Sequence, residues 1–306
     1  MSPTNPPGKL VAPAKLNLCL YLGELAENGL HRIVSLFEPI DLVDHLQIDQ
    51  AEEDEVDGAP VIGKDLTARA LEGIRRRGLD LPPLRVRIEK KIPVAAGMGG
   101  GSADAAAVLR YARPSLGEDS VEALRGVALE IGSDVLAQSG LWSERPNGAG
   151  EVRSLVSGTG DRVEPAPAGD SWAGVVIASK QGLSTPEVYA EADRLGLGRS
   201  EAELEGVLES LRFGSSGMPL APLEAAVNDL QPAAISLRPE LEDLLGSLLD
   251  AGARNALVTG SGPTVFGVFQ ERTEAERAAE RLASGVTGKV LVVEPLAHKN
   301  SDGGVG

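Results

Sequence analysis

The chain has 306 residues, 42% hydrophobic and 24% charged, which is a globular composition long enough for one large or two ordinary domains. A formal charge of -16, from 29 basic and 45 acidic residues, excludes a protein that binds nucleic acid over its whole surface. The single cysteine, Cys19, excludes an internal disulfide and suits a reducing compartment. Aromatics are only 3%, so the core must be built from Leu, Val, Ile and Ala. No run is long and apolar enough to cross a membrane, and the N-terminus MSPTNPPGK lacks the build of a signal peptide. A soluble, cytoplasmic chain with loose ends is expected, the tail after His298 included.

From Ala14 to Leu22 apolar and other residues alternate, with Leu16, Leu18, Leu20 and Leu22 on one face. Lys15, Asn17, Cys19 and Tyr21 take the other, and a period of two predicts a strand. A solvated face is the plain reading for Lys15. The turn Glu27-Asn28-Gly29 predicts a hairpin to a second strand, Leu30 to Phe37, which would bring His31 back toward Lys15. With three His and one Cys in the chain, a zinc site is not expected. Leu42 to Ile48 reads as a further strand, Glu52 to Glu55 as a solvated turn, Asp65 to Arg77 as a helix and Leu84 to Glu89 as a strand.

The stretch PVAAGMGGGSADAAAV, Pro93 to Val108, follows directly. Four glycines allow positive φ and close approach of a ligand to the main chain. Ser102 has the chemistry of a helix cap ahead of an Ala-rich run. Exposed N–H groups at such a helix start make a site for phosphate. The stretch lacks the Lys-Ser/Thr of a Walker loop, and Ser102 stands where a dinucleotide fingerprint needs its third glycine. Arg85, Arg87, Lys90 and Lys91 precede it, as a solvated strand face or as local compensation for an anion.

A helix from Ser120 to Ile131 ends at Gly132-Ser133-Asp134. Ser139 to Gly169 is rich in Gly, Pro and Ser and holds the expected domain boundary, giving domains 1–165 and 166–306. Trp172 to Ser179 reads as a buried strand, and Thr185-Pro186 as a helix cap followed by a first-position proline. Helices are expected over Glu201 to Leu211, Leu223 to Asp229, Glu240 to Ala251 and Thr273 to Ala283. Strands are expected over Asn255 to Thr259, Val265 to Phe269 and Lys289 to Val293. The order predicts a small antiparallel sheet backed by helices, an α+β layer.

Three stretches together resemble the GHMP kinase superfamily: Pro13-Ala14-Lys15-Leu16-Asn17-Leu18, the loop Pro93 to Ala103, and Thr259-Gly260-Ser261-Gly262-Pro263-Thr264. The turn Gly29 to His31, Ile131 to Val135 and Asn228 to Gln231 extend the likeness over most of the chain. The resemblance implies an α+β, two-domain fold. Its N-terminal domain would be ribosomal-S5-like and carry ATP binding and catalysis, and its C-terminal domain would be ferredoxin-like and complete the acceptor site. It implies ATP-dependent phosphoryl transfer to an alcohol, with Mg2+ expected and a cytidine-diphosphate-linked polyol of isoprenoid biosynthesis as acceptor. Lys15 and Asp134 would be the catalytic pair. Pro93, Val94, Ala95, Ala96, Gly97, Met98, Gly99, Gly100, Gly101, Ser102 and Ala103 would wrap the ATP phosphates, with Ser102 also a candidate metal contact. Asn17 and His31 would hold the cytidine end, and Gly260, Ser261 and Gly262 would shape the acceptor side. A homoserine- or mevalonate-type kinase and a catalytically lapsed nucleotide-binding relative are the alternatives, as monomer or homodimer. Three places depart from the pattern: Leu30 replaces an aromatic before His31, Val135-Leu-Ala-Gln-Ser-Gly140 replaces a proline and an apolar helix after Asp134, and Asp65 stands where an Asn is common before the first long helix.

Overall fold

In a computed structural model, residues 8–58, 65–143, 152–167, 171–179, 181–213 and 223–296 are described. The first strand, β1 (Gly8–Leu25), is longer than the alternation alone marks out. Leu16, Leu18, Leu20 and Leu22 are buried as expected, but so are Lys15, Asn17 and Cys19 at the alternate positions. That second face is therefore interior, not solvated. Strand β2 (His31–Gln50) fuses the two segments expected as separate strands. The charges between them do not break it, because Glu38 is buried and accepts from Arg153 Nε at 2.5 Å. A buried charge is tolerable when paired and hydrogen-bonded in this way.

The β1–β2 hairpin closes with Ala26 N–H donating to the Leu30 carbonyl at 2.7 Å. This register sets His31 beside Gly23, not beside Lys15. Eight residues of strand separate Gly23 from Lys15, about 27 Å at roughly 3.4 Å per residue. The expectation that the hairpin returns His31 to Lys15 is corrected on that ground.

Two compact units share the chain in alternating pieces: Met1–Ala14, Leu42–Val94 and Gly99–Val152 in one, Lys15–Asp41, Ala95–Met98 and Arg153–Gly306 in the other. In the first unit β2 pairs antiparallel with β4 (Leu84–Glu89), and β4 pairs parallel with the short β3 (Glu55–Asp57) that ends the acidic run. Helix α1 (Leu66–Arg76) starts where Asp65 accepts the Thr67 N–H at 2.8 Å. Helix α2 (Gly100–Leu116) is followed by a 3-10 turn (Glu118–Ser120), α3 (Val121–Ile131) and α4 (Ser133–Ser139). A Cβ on Gly73 would stand 2.6 Å from Val127, so α1 and α3 pack backbone-close. Ala103, Ala105, Ala106, Ala107, Val108 and Leu109 of α2 are all fully buried. A helix apolar on every side is an interior one. With so few aromatics, small side chains let its neighbours close in to interior packing density.

The second unit holds a four-stranded antiparallel sheet of β7 (Ala173–Ala178), β8 (Asn255–Val258), β9 (Val265–Phe269) and β10 (Lys289–Val293), in the order β10-β7-β9-β8. Helices α5 (Thr185–Leu195), α6 (Glu201–Phe213), α7 (Gln231–Leu237) and α8 (Glu240–Asp250) connect β7 to β8, and α9 (Arg272–Leu282) connects β9 to β10. That is a strand-helix-strand-strand-helix-strand run of the ferredoxin-like kind. Three local expectations change. The segment 139–169 contains a hairpin of β5 (Ser154–Ser157) and β6 (Arg162–Pro165). Leu223 to Asp229 is a single 3-10 turn, Leu223–Ala225, and then an extended stretch bridging β1 at Leu20. The cap of α5 is Ser184, with Thr185 already helical. The expected loose ends before residue 8 and after His298, and residues 144–151, lie outside the described residues.

Candidate active site

Strand β1 brings Lys15 and Asn17 to the turn at Thr259–Thr264 through the second unit's own contacts. Lys15 Nζ donates to Asn17 Oδ1 at 2.6 Å and lies 4.5 Å from the Phe37 ring centroid, a cation–π distance. Asn17 Nδ2 donates to Ser35 Oγ at 2.8 Å, and the Asn17 N–H donates to Thr259 Oγ1 at 2.9 Å. The turn is clamped from below by buried Asn228, whose Nδ2 donates to the carbonyls of Val258 and Gly260 at 2.7 Å each. Gly260 has φ +58, and a Cβ there would stand 3.2 Å from Asn17 Oδ1 and 3.6 Å from Lys15 Nζ. Gly260 thus keeps side-chain bulk away from the lysine. Ser261 Oγ instead faces Thr185 Oγ1 at 2.8 Å, and Gly262 leads through a cis peptide into Pro263.

The glycine stretch is a kinked loop whose backbone is set by three left-handed residues, Ala95 (φ 55), Gly97 (φ 73) and Gly99 (φ 68). Pro93 and Val94 leave β4, with Val94 exposed, while Ala96 and Met98 are buried as anchors. The Met98 carbonyl accepts the Lys15 N–H at 3.0 Å, and a Cβ on Gly97 would come within 2.6 Å of the Gly262 carbonyl. Gly99 is the cap of α2 and no side chain caps that helix. Ser102, expected as the cap, lies inside the first turn with Gly100, Gly101 and Ala103. Gly99 takes the cap position because it supplies the left-handed backbone that the kink requires. The N–H groups of that turn have no side-chain oxygen competing for them, which is what an anion site at a helix start needs.

Beneath this turn lies a buried charge cluster of the first unit. Lys90 Nζ donates to Asp44 Oδ2 at 2.5 Å and to Asp104 Oδ2 at 2.6 Å. Asp44 Oδ1 accepts the N–H groups of Lys91 and Ile92 at 2.5 and 2.9 Å. Burial works against the Lys90 charge, but the two carboxylates outweigh it and hold its ammonium above the usual range. Burial pushes the Asp104 carboxyl up to about 7, against Lys90 and with help from Asp44 and Asp65. The folded state therefore keeps a proton on Asp104 that the unfolded chain loses near 3.8. Stability from this group is fully present below that ordinary value and is lost as pH rises through about 7. Asp104→Asn is expected to flatten the fall in stability between about pH 4 and 7, so that the variant's stability relative to wild type rises by on the order of 2–4 kcal/mol from pH 4 to pH 8. Chemical denaturation across that range measures it, and parallel profiles for the two proteins would refute the assignment.

Asp134 sits in the first turn of α4, where a carboxylate is favoured by the helix dipole. His31 belongs to a separate cluster of the second unit. Its Nδ1 is 2.9 Å from the Gly23 carbonyl, which can only accept, so Nδ1 carries a proton. Its Nε2 is buried and lies 3.0 Å from Asp193 Oδ1, off the hydrogen-bonding direction. The Tyr189 ring is 5.5 Å away by centroids. Tyr189, Asn228, Thr259 and the Asp44–Asp104 pair are additions to the residues singled out from sequence, and Lys90, expected on a solvated face or as compensation for an anion, is engaged by those two carboxylates. Thr259 and Asn228 stood in quoted motifs, whereas nothing local marks Tyr189 as a neighbour of His31.

The N-terminal pattern of the GHMP kinases matches residues 65–141, and the C-terminal pattern matches residues 197–287. The chain belongs to the GHMP kinase family, and so is an α+β, ATP-dependent small-molecule kinase. Among curated relatives, a 4-diphosphocytidyl-2-C-methyl-D-erythritol kinase of Anaeromyxobacter sp. (strain Fw109-5) is 37% identical, over 92% of this chain and 89% of its own. One of the same name from Corynebacterium efficiens is 35% identical, over 92% and 90%. A crystal structure of 4-(cytidine 5'-diphospho)-2C-methyl-D-erythritol kinase aligns with TM-score 0.71 at 28% identity, over 94% of this chain and 98% of that one. Among the described residues no helix is long and apolar enough to cross a membrane.

Proposed function

We propose that this chain transfers the γ-phosphoryl group of ATP to the 2-hydroxyl of 4-diphosphocytidyl-2-C-methyl-D-erythritol, in the cytoplasm, as a step of non-mevalonate isoprenoid synthesis. The observation that carries the reading is the buried Lys15–Asn17 pair under the Gly260 turn. The PAKLNL strand and the TGSGPT turn, which are far apart in sequence, meet there through the Asn17–Thr259 hydrogen bond. In the proposed roles Asp134 accepts the proton of the attacking alcohol, because an alcohol is a poor nucleophile until its proton has somewhere to go. Lys15 neutralises charge on the transferred group, and the N–H groups of residues 93–103 cradle the phosphates. Residues 1–165 carry ATP binding and catalysis and 166–306 complete the acceptor site, a division in which each matched family pattern falls within one part. The protein acts as a monomer or a homodimer.

Mg2+ fits the residues present. Ser102 lies in the first turn of α2 with its hydroxyl uncommitted to capping, and Mg2+ at nucleotide sites is held by few protein ligands plus phosphates. Bound there with the nucleotide, it would neutralise phosphate charge. His31 and Tyr189 are proposed to hold the cytosine. The buried Nε2 makes no hydrogen bond and lies 3.0 Å from Asp193 Oδ1, and the Tyr189 ring supplies the aromatic surface that Leu30 does not. An ADP-release assay run in parallel with the cytidyl methylerythritol acceptor, homoserine and mevalonate tests the reading. Turnover is expected with the first, at a kcat/KM at least about 100-fold above the others. Preference for homoserine or mevalonate would replace the proposed acceptor, and turnover of none would overturn the reading.

A further inference from the structure

Helix α4 carries a buried amide that the phosphoryl-transfer roles above do not use. Gln138, one helical turn beyond Asp134, donates from Nε2 to the Pro13 carbonyl at 3.0 Å. A carbonyl can only accept, so the group facing it is the amide NH2 and the orientation of the side chain is fixed. Its Oε1 is buried without a hydrogen-bond partner. Arg110 of α2 completes the arrangement, donating from Nη1 to the Gln138 carbonyl at 2.5 Å and from Nη2 to the Val11 carbonyl at 2.9 Å. Three elements of one compact unit are thereby tied by side-chain donors on backbone carbonyls: the first part of β1, the helix opened by the glycine loop, and the helix that bears Asp134.

A buried amide with an idle oxygen is poor packing chemistry. An apolar side chain of the same length would fill the space without leaving an acceptor unpaired. The position also falls in the stretch after Asp134 that departs from the family pattern. What the amide supplies is registration. It fixes the backbone two residues before Lys15 along β1, on a helix turn four residues after Asp134. Reactions that depend on positioning are sensitive to displacements of this kind, an ångström costing about 100-fold.

We infer that Gln138, braced by Arg110, is a positioning residue for phosphoryl transfer, setting the strand that leads to Lys15 against the helix that presents Asp134. The inference rests on the catalytic roles proposed for those two residues. It is tested with Gln138→Met, which keeps length and volume but removes the donor, and with Gln138→Glu as a second variant. Steady-state kinetics with ATP and the cytidyl methylerythritol acceptor, thermal unfolding, and hydrogen exchange of the segment 10–17 are measured for each. The expected result for Gln138→Met is kcat lowered about 10- to 100-fold with both KM values within about twofold, since orientation and not binding is lost. Its melting temperature stays close to wild type, and exchange in 10–17 quickens about fivefold while the rest of the chain is unchanged.

A kcat within about twofold of wild type in both variants would overturn the inference. So would a kcat loss that merely accompanies a large fall in melting temperature and faster exchange everywhere, which is a general structural role. If wild type turns over no acceptor, the functional reading fails and the exchange experiment decides the brace alone. Unchanged exchange in 10–17 would then refute it.

Discussion

Asp134→Asn is expected to lower kcat by about 1,000-fold or more while leaving ATP affinity within about twofold of wild type. The substitution keeps size and the position in the first turn of α4, and removes the charge together with the ability to take a proton. A positioned general base contributes about 100- to 10,000-fold, and the alcohol here has no other route by which its proton leaves in the proposed mechanism. In the proposed roles the phosphates are held by N–H groups of residues 93–103 and not by Asp134, so calorimetric titration with ATP should report an intact nucleotide site. ADP release in the presence of acceptor reports the loss. A variant that keeps more than about a tenth of wild-type turnover would remove Asp134 from the role of base.

The buried lysine and the buried carboxylates make different demands on such a site. Lys15 is held by a neutral amide, an aromatic face and further contacts within a strand that is interior on both faces. Lys90 is held by two carboxylates, and burial, working against Lys90 and with help from Asp44 and Asp65, leaves Asp104 with a proton into the neutral range. The second cluster lies under the first turn of α2. One negative charge fewer there lowers the electrostatic cost of an anion arriving at the helix start. If the loop cradles phosphate as proposed, the proton on Asp104 and a phosphate at Gly100 to Ser102 would therefore favour one another.

How legible all this was in the sequence varied with the range of the forces involved. Elements set by their own periodicity, α1, β4, α3, α8 and the β8–β9–α9–β10 run, stand within a residue or two of where the pattern puts them. The small antiparallel sheet followed from their order. The second face of β1 is not legible in the sequence, because alternation reports that two faces differ and says nothing of what covers the more polar one. Lys15 is buried by Phe37 and Asn17, and Asn17 by a turn 242 residues away. Between Phe37 and Leu42 the strand is continuous because Glu38 pairs with Arg153, a partner 115 residues on. Ser102 has the chemistry of a cap, but the left-handed backbone at Gly99 claims that position. The site's motifs could be read as motifs. Their contacts could not, because Asn228 under the Gly260 turn, Tyr189 beside His31 and Gln138 under Pro13 are each fixed by topology and not by neighbours in sequence.

Gly97→Ala is expected to cost far more activity than its single methyl suggests, and Gly29→Ala is the comparison that shows why. Both glycines have positive φ, +73 and +77, so each substitution carries the same backbone strain, of order 1–2 kcal/mol. A Cβ on Gly29 meets nothing within 4 Å, whereas one on Gly97 would stand 2.6 Å from the Gly262 carbonyl and 3.4 Å from that of Thr259. Neither obstacle is a side chain that can swing away. Either the loop at 95–98 or the turn at 259–263 must move. The loop gives the Met98 carbonyl to the Lys15 N–H, and the turn gives Thr259 to Asn17, so a shift of either displaces the lysine. For Gly97→Ala, kcat/KM is expected to fall at least about 100-fold, with a stability loss larger than strain alone. Gly29→Ala should lose about 1–2 kcal/mol of stability and keep its kcat/KM within about twofold. Equal losses of activity in the two variants would mean that left-handed backbone, and not close approach of the two glycine turns, is what position 97 requires. Intact activity in Gly97→Ala would detach the loop from the lysine altogether.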